Sequence, residues 1–211
     1  MKRTGSYGWK HLINYAVIAA TIVVFTILSF TSGLSSSTEF LLEKISISII
    51  LAVSLSLVVG FLGELSLGHA GFMCVGAYLG GKLASLIAPA LGNSLPTMLI
   101  SLVVGGIAAA ACGVLIGLPA LRLKGDYLAI VTLAFGEIVK SLFQNSSSSS
   151  FGGAIGLSTP RFDKNTLFIY GFLLVLATLA VIQNLMRSKH GRAIMAIRDN
   201  RIAAEATGVN V

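Results

Sequence analysis

The sequence predicts an all-α protein, a polytopic bundle of membrane-spanning helices. Hydrophobic residues make up 55% of the 211 residues and charged residues only 11%, whereas about 25% of an average soluble domain is charged. Several uncharged runs are long enough to cross the hydrocarbon core of a bilayer, which takes about 20 helical residues. Lys and Arg collect beside these runs, so we interpret the net charge of +7 as a mark of membrane orientation and not of nucleic-acid binding.

Six apolar stretches are predicted to span the membrane, within a membrane domain over residues 12–186. The first exceeds the apolar core of a signal peptide, which is about 7 to 15 residues, so we expect it to be retained. The third is rich in glycine and is either continuous or broken. The fifth carries Glu137 and Lys140, whose i, i+3 spacing places them on one helix face where they could neutralise each other. The predicted spans lie near 12–30, 45–62, 65–90, 95–121, 127–143 and 167–186.

The distribution of basic residues predicts that both ends of the chain are cytoplasmic. Lys and Arg cluster in the N-terminal segment 1–11, after the fourth span at Arg122 and Lys124, and in the segment 187–211. With six spans these three basic segments fall on one side of the membrane. The positive-inside rule assigns that side to the cytoplasm.

No pattern in the chain predicts enzyme chemistry. The three histidines are far apart in sequence and give no metal-ligand spacing, and no Gly-x-Ser-x-Gly element marks a nucleophile. Residues 76–83 have the spacing of a phosphate-binding loop, but Leu83 replaces the Ser or Thr that would reach magnesium. We expect this chain to bind no metal and no cofactor of its own. Gly76 with Gly80, and Gly113 with Gly117, are instead predicted to let membrane helices pack closely.

The Gly-rich segment 60–71 is the best candidate for a translocation path. Its glycines interrupt an apolar stretch at a span boundary, and interrupted helices free backbone groups that can bind a ligand. The residues alone favour a cytoplasmic turn between two spans, and the alternative is a broken helix that lines the path. The candidate path residues are Glu64, Ser66, Gly68, His69 and Gly71, together with Glu137.

The basic segment after the sixth span predicts two short amphipathic helices. Ile194 and Ile197 form an apolar face beside basic residues. Asp199 or Asn200 can cap the start of a second helix, which Gly208 ends. Such a pair of helices either rests on anionic lipid or docks in the groove of a partner protein. A turn that fixes two short helices favours the protein partner.

Four motifs follow one another between about Ile45 and the end of the chain. They are Gly63-Glu-Leu-Ser-Leu-Gly-His-Ala-Gly-Phe72 with Gly76-Ala-Tyr78, Leu121-Arg-Leu-Lys-Gly-Asp-Tyr-Leu-Ala-Ile-Val-Thr-Leu-Ala-Phe-Gly-Glu-Ile138, Gly152-Gly-Ala-Ile-Gly-Leu157, and Gly191-Arg-Ala-Ile-Met-Ala-Ile-Arg-Asp-Asn-Arg-Ile-Ala-Ala-Glu-Ala-Thr-Gly208. In this order they resemble the permease subunits of ATP-binding-cassette importers for branched-chain amino acids, in particular the LivM-type branch. One departure is Phe151, because Thr commonly precedes the Gly-Gly motif in the family.

The resemblance implies a pore-forming subunit of a bacterial or archaeal cytoplasmic (inner) membrane, which works by alternating access. The implied partners are a second, LivH-like permease subunit, two ATPase subunits that use ATP and magnesium, an extracytoplasmic substrate-binding protein and the lipid bilayer. The ATPase-contacting loop of the family carries Glu-Ala-Ala-x-x-x-Gly, and Ile202 stands here in place of Glu. The coupling residues implied by the resemblance are Gly191, Arg192, Ile197, Arg198, Ala203, Ala204 and Gly208.

Alternatives to this function stay open. A permease of a urea or short-chain amide importer looks like the same family across the same motifs. An ion-coupled secondary transporter or channel would work through Glu64, Glu137 or Lys140 and needs no docking segment. A structural membrane scaffold is a further alternative, and it would show no dependence on substrate. Since the family continues through several more membrane helices, we expect this chain to be a truncated product or a fragment that cannot form a working half-pore alone.

Overall fold

The computed structural model describes residues 20, 23–24, 35–92, 94–120, 123, 125–160 and 164–209. All regular structure among these residues is helical, which confirms the all-α prediction. The N-terminal segment 1–11 and most of the first predicted span, 12–30, lie outside the described residues. The helices are α1 (Ser36–Ser56), continued by a π-helix (Leu57–Leu62), α2 (His69–Leu91), α3 (Leu95–Ala120), α4 (Asp126–Gln144), α5 (Ser148–Phe151), a 3-10 helix (Gly153–Ile155), α6 (Lys164–Arg187), α7 (Lys189–Asp199) and α8 (Arg201–Ala206).

Four of the described helices are long and apolar enough to cross a membrane. Large apolar side chains stay exposed along them, as lipid-facing surfaces require, for example Ile107 at 64% and Leu115 at 69% exposure. Helix α4 coincides with the predicted fifth span and carries Glu137 and Lys140. The chain is therefore a membrane helical bundle. The four helices cover Ser37–Leu62, His69–Leu91, Leu95–Ala120 and Leu167–Arg187.

Helix α1 begins well before its apolar run. The run predicts a span from Ile45 and leaves Glu43 and Lys44 in the preceding connection, but the helix already starts at Ser36. Glu39 lies in the first turn, where a negative charge interacts favourably with the helix dipole. The ammonium of Lys44 lies 4.6 Å from the centre of the Phe40 ring. These charged residues extend the helix instead of ending it.

The described residues form two compact units, and the first contains α1 as far as Ser54 together with α6, α7 and α8. Its buried cluster consists of Leu42, Phe168 and Phe172. Beside this cluster a Cβ on Gly171 would meet the hydroxyl oxygen of Ser46 at 2.5 Å. Helices α1 and α6 therefore approach closely where both residues are small.

The second unit covers Leu55–Phe162, and its closest helix pair is α2 with α3. The two helices run antiparallel, since Gly76 lies against Gly105 and Gly80 lies against Ser101. A Cβ on Gly80 would stand only 2.7 Å from the Ser101 carbonyl oxygen. The predicted packing role of Gly76 and Gly80 is thus confirmed. Around Gly113 and Gly117, by contrast, a Cβ would meet open space within the described chain, so their packing role stays a prediction.

Helix α4 runs parallel to α2, and an aromatic cluster joins their later turns. The ring of Tyr78 stacks on that of Phe143 at 4.2 Å between centroids. Phe151 meets Phe143 edge-on at 5.3 Å and Tyr78 at 6.5 Å. Phe151 is the residue that departs from the Thr of the family motif, and its ring completes this cluster.

Candidate functional site

The segment between α1 and α2 is an irregular connection of residues 63–68, hereafter the connection. Before it, α1 changes to a π-helix over Leu57–Leu62, a form that is rare and often found at functional sites. The helix ends at Gly63, whose φ of 79° is left-handed and whose N–H donates to the Val58 carbonyl. The connection joins two helices that are each long enough to cross a membrane, and α2 continues without interruption from His69 to Leu91.

The connection is fastened to α4 through Thr132. The backbone N–H of Leu67 donates to Thr132 Oγ1 at 3.1 Å, and this hydroxyl donates in turn to the Ala129 carbonyl at 3.0 Å. Thr132 is 6% exposed. Gly68 follows at once, and a Cβ there would collide with the carbonyl oxygen of Thr132 and lie 2.9 Å from its carbonyl carbon. Only a glycine allows the chain to pass this close.

Glycines keep α2 and α4 close for another turn. A Cβ on Gly71 would lie 3.0 Å from the Cα of Gly136. The rings of Phe72 and Phe135 meet beside this point at 4.6 Å between centroids. We call the surface from Leu67 and Thr132 to these rings the α2–α4 contact.

A cavity of about 240 Å³ opens between α2 and α4 next to this contact. It brings together two predicted path residues, Gly71 and Glu137. It also includes Cys74, which no sequence pattern predicted, and Lys140, which was predicted to pair with Glu137. The remaining lining residues are Leu67, Ala70, Leu133 and Gly136.

The charged rim of the cavity is an ion pair. Lys140 Nζ lies 3.3 Å from Glu137 Oε2, with both side chains more than half exposed. This confirms the predicted i, i+3 pairing. Glu137 also borders an open groove of about 670 Å³ that follows α4 past Ser141 to Asn145. The amide of Asn145 donates to the Ser141 hydroxyl at 3.1 Å, so one face of α4 is polar along this groove.

The other predicted path residues do not line the cavity. Gly68 packs against Thr132 instead, and Ser66 and His69 are partly buried in and beside the connection. One carboxylate oxygen of Glu64 is buried and meets no hydrogen-bond donor within the described part of the chain. The predicted path set therefore divides into cavity residues on α2 and α4 and residues of the connection.

The second predicted site begins with a sharp corner between α6 and α7, hereafter the corner. Ser188 caps α7, because its hydroxyl oxygen accepts the Gly191 N–H at 3.1 Å. The same hydroxyl donates to the Leu185 carbonyl at 2.6 Å. A Cβ on Gly191 would lie 2.6 Å from the Cα of Met186, against backbone that cannot yield. Arg192 donates from Nη1 to the Arg187 carbonyl at 2.8 Å, which satisfies an end carbonyl of α6.

Helix α8 is capped at both ends. The Asn200 side chain accepts the Ala203 N–H at 3.1 Å, so Asn200 and not Asp199 is the N-cap. Asp199 pairs instead with Arg198 at 2.8 Å. At the other end Gly208 has φ 85°, and bonds from Gly208 to Glu205 and from Val209 to Ala204 form a Schellman motif. The predicted pair of short helices is confirmed.

The implied coupling residues have two different environments within this chain. Gly191 and Ala204 are buried inside the segment and set its shape. Ile197 is partly buried. The exposed members are Arg192, Arg198, Ala203 and Gly208. Ile202, at the position where the family pattern has Glu, is 80% exposed at the start of α8.

Sequence reasoning missed Thr132, Gly136 and Cys74 as parts of the path region. Thr132 and Gly136 are separated by three residues, the small-xxx-small spacing of close helix packing, and this signal could have found them. Lys140 was predicted as the charged partner of Glu137, and its place beside the cavity follows from that pairing. Within the described residues, no group of three or more His, Cys, Asp and Glu side chains could hold a metal ion.

Comparison with known proteins places these features in a transport family. Residues 37–211 match the family model described as branched-chain amino acid transport system / permease component. Two curated relatives are called high-affinity branched-chain amino acid transport system permease protein LivM, one from Escherichia coli (strain K12) and one from Salmonella typhimurium (strain LT2). Each is 36% identical, with 78% of this chain and 44% of the relative covered. The chain thus spans less than half the length of the curated relatives it matches. No solved structure matches.

Proposed function

The chain belongs to the family of permease components of branched-chain amino acid transport systems, and from this premise we propose that it forms part of the membrane pore of an ATP-binding-cassette importer. The proposed substrates are branched-chain amino acids delivered by an extracytoplasmic binding protein. The proposed energy source is ATP, hydrolysed with magnesium by two partner ATPase subunits. A second, LivH-like permease subunit would complete the pore, and both ends of this chain would be cytoplasmic.

The observation that carries this proposal is the rigid construction of residues 187–208, the coupling segment. Its first helix joins α6 through the Ser188 cap, the Gly191 close approach and the Arg192 bond, all within a few residues. A force applied to α7 is therefore transmitted to α6 rather than absorbed in a loop. Alternating access requires such a link between an ATPase subunit and a membrane helix.

The exposed side of the coupling segment supports docking to a protein. Ile202 and Ala203 are exposed at the start of α8, where the caps hold the backbone in a fixed shape. A preformed surface loses little conformational entropy when it binds. A segment that only rested on anionic lipid would need basic charge and an apolar face but no such fixed turn.

Site-directed photocrosslinking in the assembled transporter tests the coupling role. A photoreactive amino acid placed at Ala203 is expected to form a crosslink to an ATPase subunit. The matched control is the same amino acid at Ile155, which is 94% exposed and lies between the fifth and sixth predicted spans, on the side of the membrane opposite the three basic segments. The control is expected to give no ATPase adduct. Crosslinks from Ala203 to lipid alone would refute the coupling role.

Uptake into vesicles tests the transport role directly. The test uses vesicles that contain the complete transporter and its binding protein. They are expected to accumulate leucine only when ATP is supplied on the side of the membrane where the ATPase subunits lie. Accumulation of urea instead of leucine would assign the chain to an amide importer. Uptake that persisted without ATPase subunits would identify an ion-coupled transporter.

A further inference from the structure

The Glu137–Lys140 pair occupies an unusual place for two charges. Both residues lie in the second half of α4, a helix that the sequence predicts as the fifth span but that is not among the four helices of the described chain long and apolar enough to cross a membrane. Ionisable residues inside membrane helices are rare, and they usually face a water-filled cavity and mark a substrate path. Here both charged residues line the cavity between α2 and α4. The charges therefore meet space that a ligand can enter.

An open groove along α4 adjoins this cavity. Glu137 borders both the cavity and the open groove that extends past Ser141 to Asn145. The groove carries polar side chains at four-residue intervals, at Glu137, Ser141 and Asn145, which fall on one face of a helix. Ile138 and Leu142 also line the groove, so the approach to the ion pair offers polar side chains beside aliphatic ones.

The rest of the cavity is apolar and small. Leu67, Ala70 and Leu133 supply an aliphatic wall, and Gly71 and Gly136 present only backbone. The volume of about 240 Å³ is below the roughly 300 to 1,000 Å³ typical of drug-sized ligands. It suits a molecule of single amino-acid size. Such a site offers one negative group, one positive group and a short aliphatic surface.

We infer that this cavity is a recognition site for a zwitterionic aliphatic amino acid, in which Glu137 binds the α-ammonium group and Lys140 binds the α-carboxylate. The aliphatic side chain then packs on Leu67, Ala70 and Leu133. This inference rests on the proposed function, and it identifies Glu137 and Lys140 as residues that contact the substrate in the proposed pore. It also separates the two importer alternatives, because an uncharged amide has no opposite charges to match the pair.

A purely structural role for the pair makes a different prediction. If Glu137 and Lys140 only neutralise each other inside the membrane, reversing their order preserves the neutralisation. The double variant E137K/K140E keeps an i, i+3 pair of opposite charges but moves each charge to the other end of the site. The zwitterion would then have to turn around, which places its side chain away from the aliphatic wall.

Leucine uptake by the complete transporter, measured over a range of leucine concentrations, distinguishes the two roles. For E137K/K140E we expect the KM for leucine to rise about tenfold or more, the factor associated with loss of a charge-assisted hydrogen bond. The neutral pair E137Q/K140Q is expected to behave in the same way, although it leaves no unpaired charge in the membrane. An unchanged KM in the reversed pair overturns the inference.

A thiol-protection assay tests the site without changing the pair. Cys74 lines the cavity, and the only other cysteine is Cys112 in α3. In a C112S transporter, leucine is expected to slow alkylation of Cys74 by a small maleimide at least threefold, and urea at the same concentration is not. Alkylation that is insensitive to leucine overturns the inference even if the charge variants fail to assemble. Absence of ATP-driven uptake in the wild-type transporter would instead overturn the proposed function.

Discussion

The corner at α6–α7 and the α2–α4 contact are both tight, but they are held in opposite ways. In the corner, hydrogen bonds join residues three to five positions apart, as from Arg192 to Arg187. In the α2–α4 contact, the hydrogen bond from Leu67 to Thr132 joins residues 65 positions apart. The corner can move as one piece without losing its bonds. The α2–α4 contact can separate by losing the Leu67–Thr132 hydrogen bond and some packing, which suits a surface beside a substrate cavity.

The largest effect is expected from a methyl group in the corner. In Gly191→Ala the new Cβ would meet the backbone of Met186 at 2.6 Å. Overpacking against atoms that cannot move costs about 3 kcal/mol. We expect ATP-driven leucine uptake to fall below about a tenth of wild type, while leucine still protects Cys74 from alkylation. Gly113→Ala is the matched control, because its Cβ would meet open space. Normal uptake by the Gly191 variant would show that the corner need not be rigid.

The same change in the α2–α4 contact is expected to have a different consequence. In Gly68→Ala the Cβ would press against the carbonyl group of Thr132, at a cost of about 2 kcal/mol. Since α2 and α4 can move apart, the protein should still fold but with a looser contact. Alkylation of Cys74 should then become several-fold faster than in Gly106→Ala, a control with open space around its Cβ. An unchanged alkylation rate would mean that the contact does not open at this point.

A smaller effect is expected from the hydroxyl that ties the connection to α4. Thr132→Val removes the acceptor of the Leu67 N–H, and loss of such a partly exposed hydrogen bond costs about 0.5 to 1.5 kcal/mol. The free energy of unfolding in detergent should fall by that amount. Thr132→Ser keeps the hydroxyl and should lose less than half as much. Equal losses in the two variants would show that the methyl group, and not the hydrogen bond, matters.

The smallest effect is expected at the N-cap of α8. Asn200→Ala removes the acceptor for the Ala203 N–H, and loss of such a cap costs about 1 kcal/mol. The photocrosslink from Ala203 to the ATPase subunit should weaken but persist, because the corner upstream is intact. Asn200→Asp retains the cap and should crosslink as wild type does. Complete loss of the crosslink in Asn200→Ala would show that the rigidity of the coupling segment depends on the N-cap of α8 and not on the corner.

The coupling segment could be predicted from the sequence because its structure is local. A capping side chain at Asn200 and a glycine at 208 act within one helical turn, so short motifs specify them. The choice between Asp199 and Asn200 required the structure. The carboxylate of Asp199 forms an ion pair with Arg198. This pairing between exposed neighbours cannot be predicted from a short motif.

The path region was predicted only in part because its contacts are not local. The glycines of the connection were visible, but nothing near Gly68 in the sequence identifies Thr132 as the residue against which it packs. The start of helix α1 was not predicted for a related reason. Apolar length locates the part of a helix inside the bilayer, whereas its first turns are stabilised by contacts such as that of Lys44 with the Phe40 ring.

The aromatic cluster of Tyr78, Phe143 and Phe151 makes the two ends of the α2–α4 pair unequal toward water. Stacked rings need no donor or acceptor, so wetting does not replace them, and each pair contributes about 0.5 to 1.5 kcal/mol. The Thr132 hydroxyl at the opposite end can exchange the Leu67 N–H for a solvent molecule. Phe72 and Phe135 add a ring contact near the Thr132 end as well, so hydration removes the hydrogen bond there and leaves ring contacts at both ends of the helix pair.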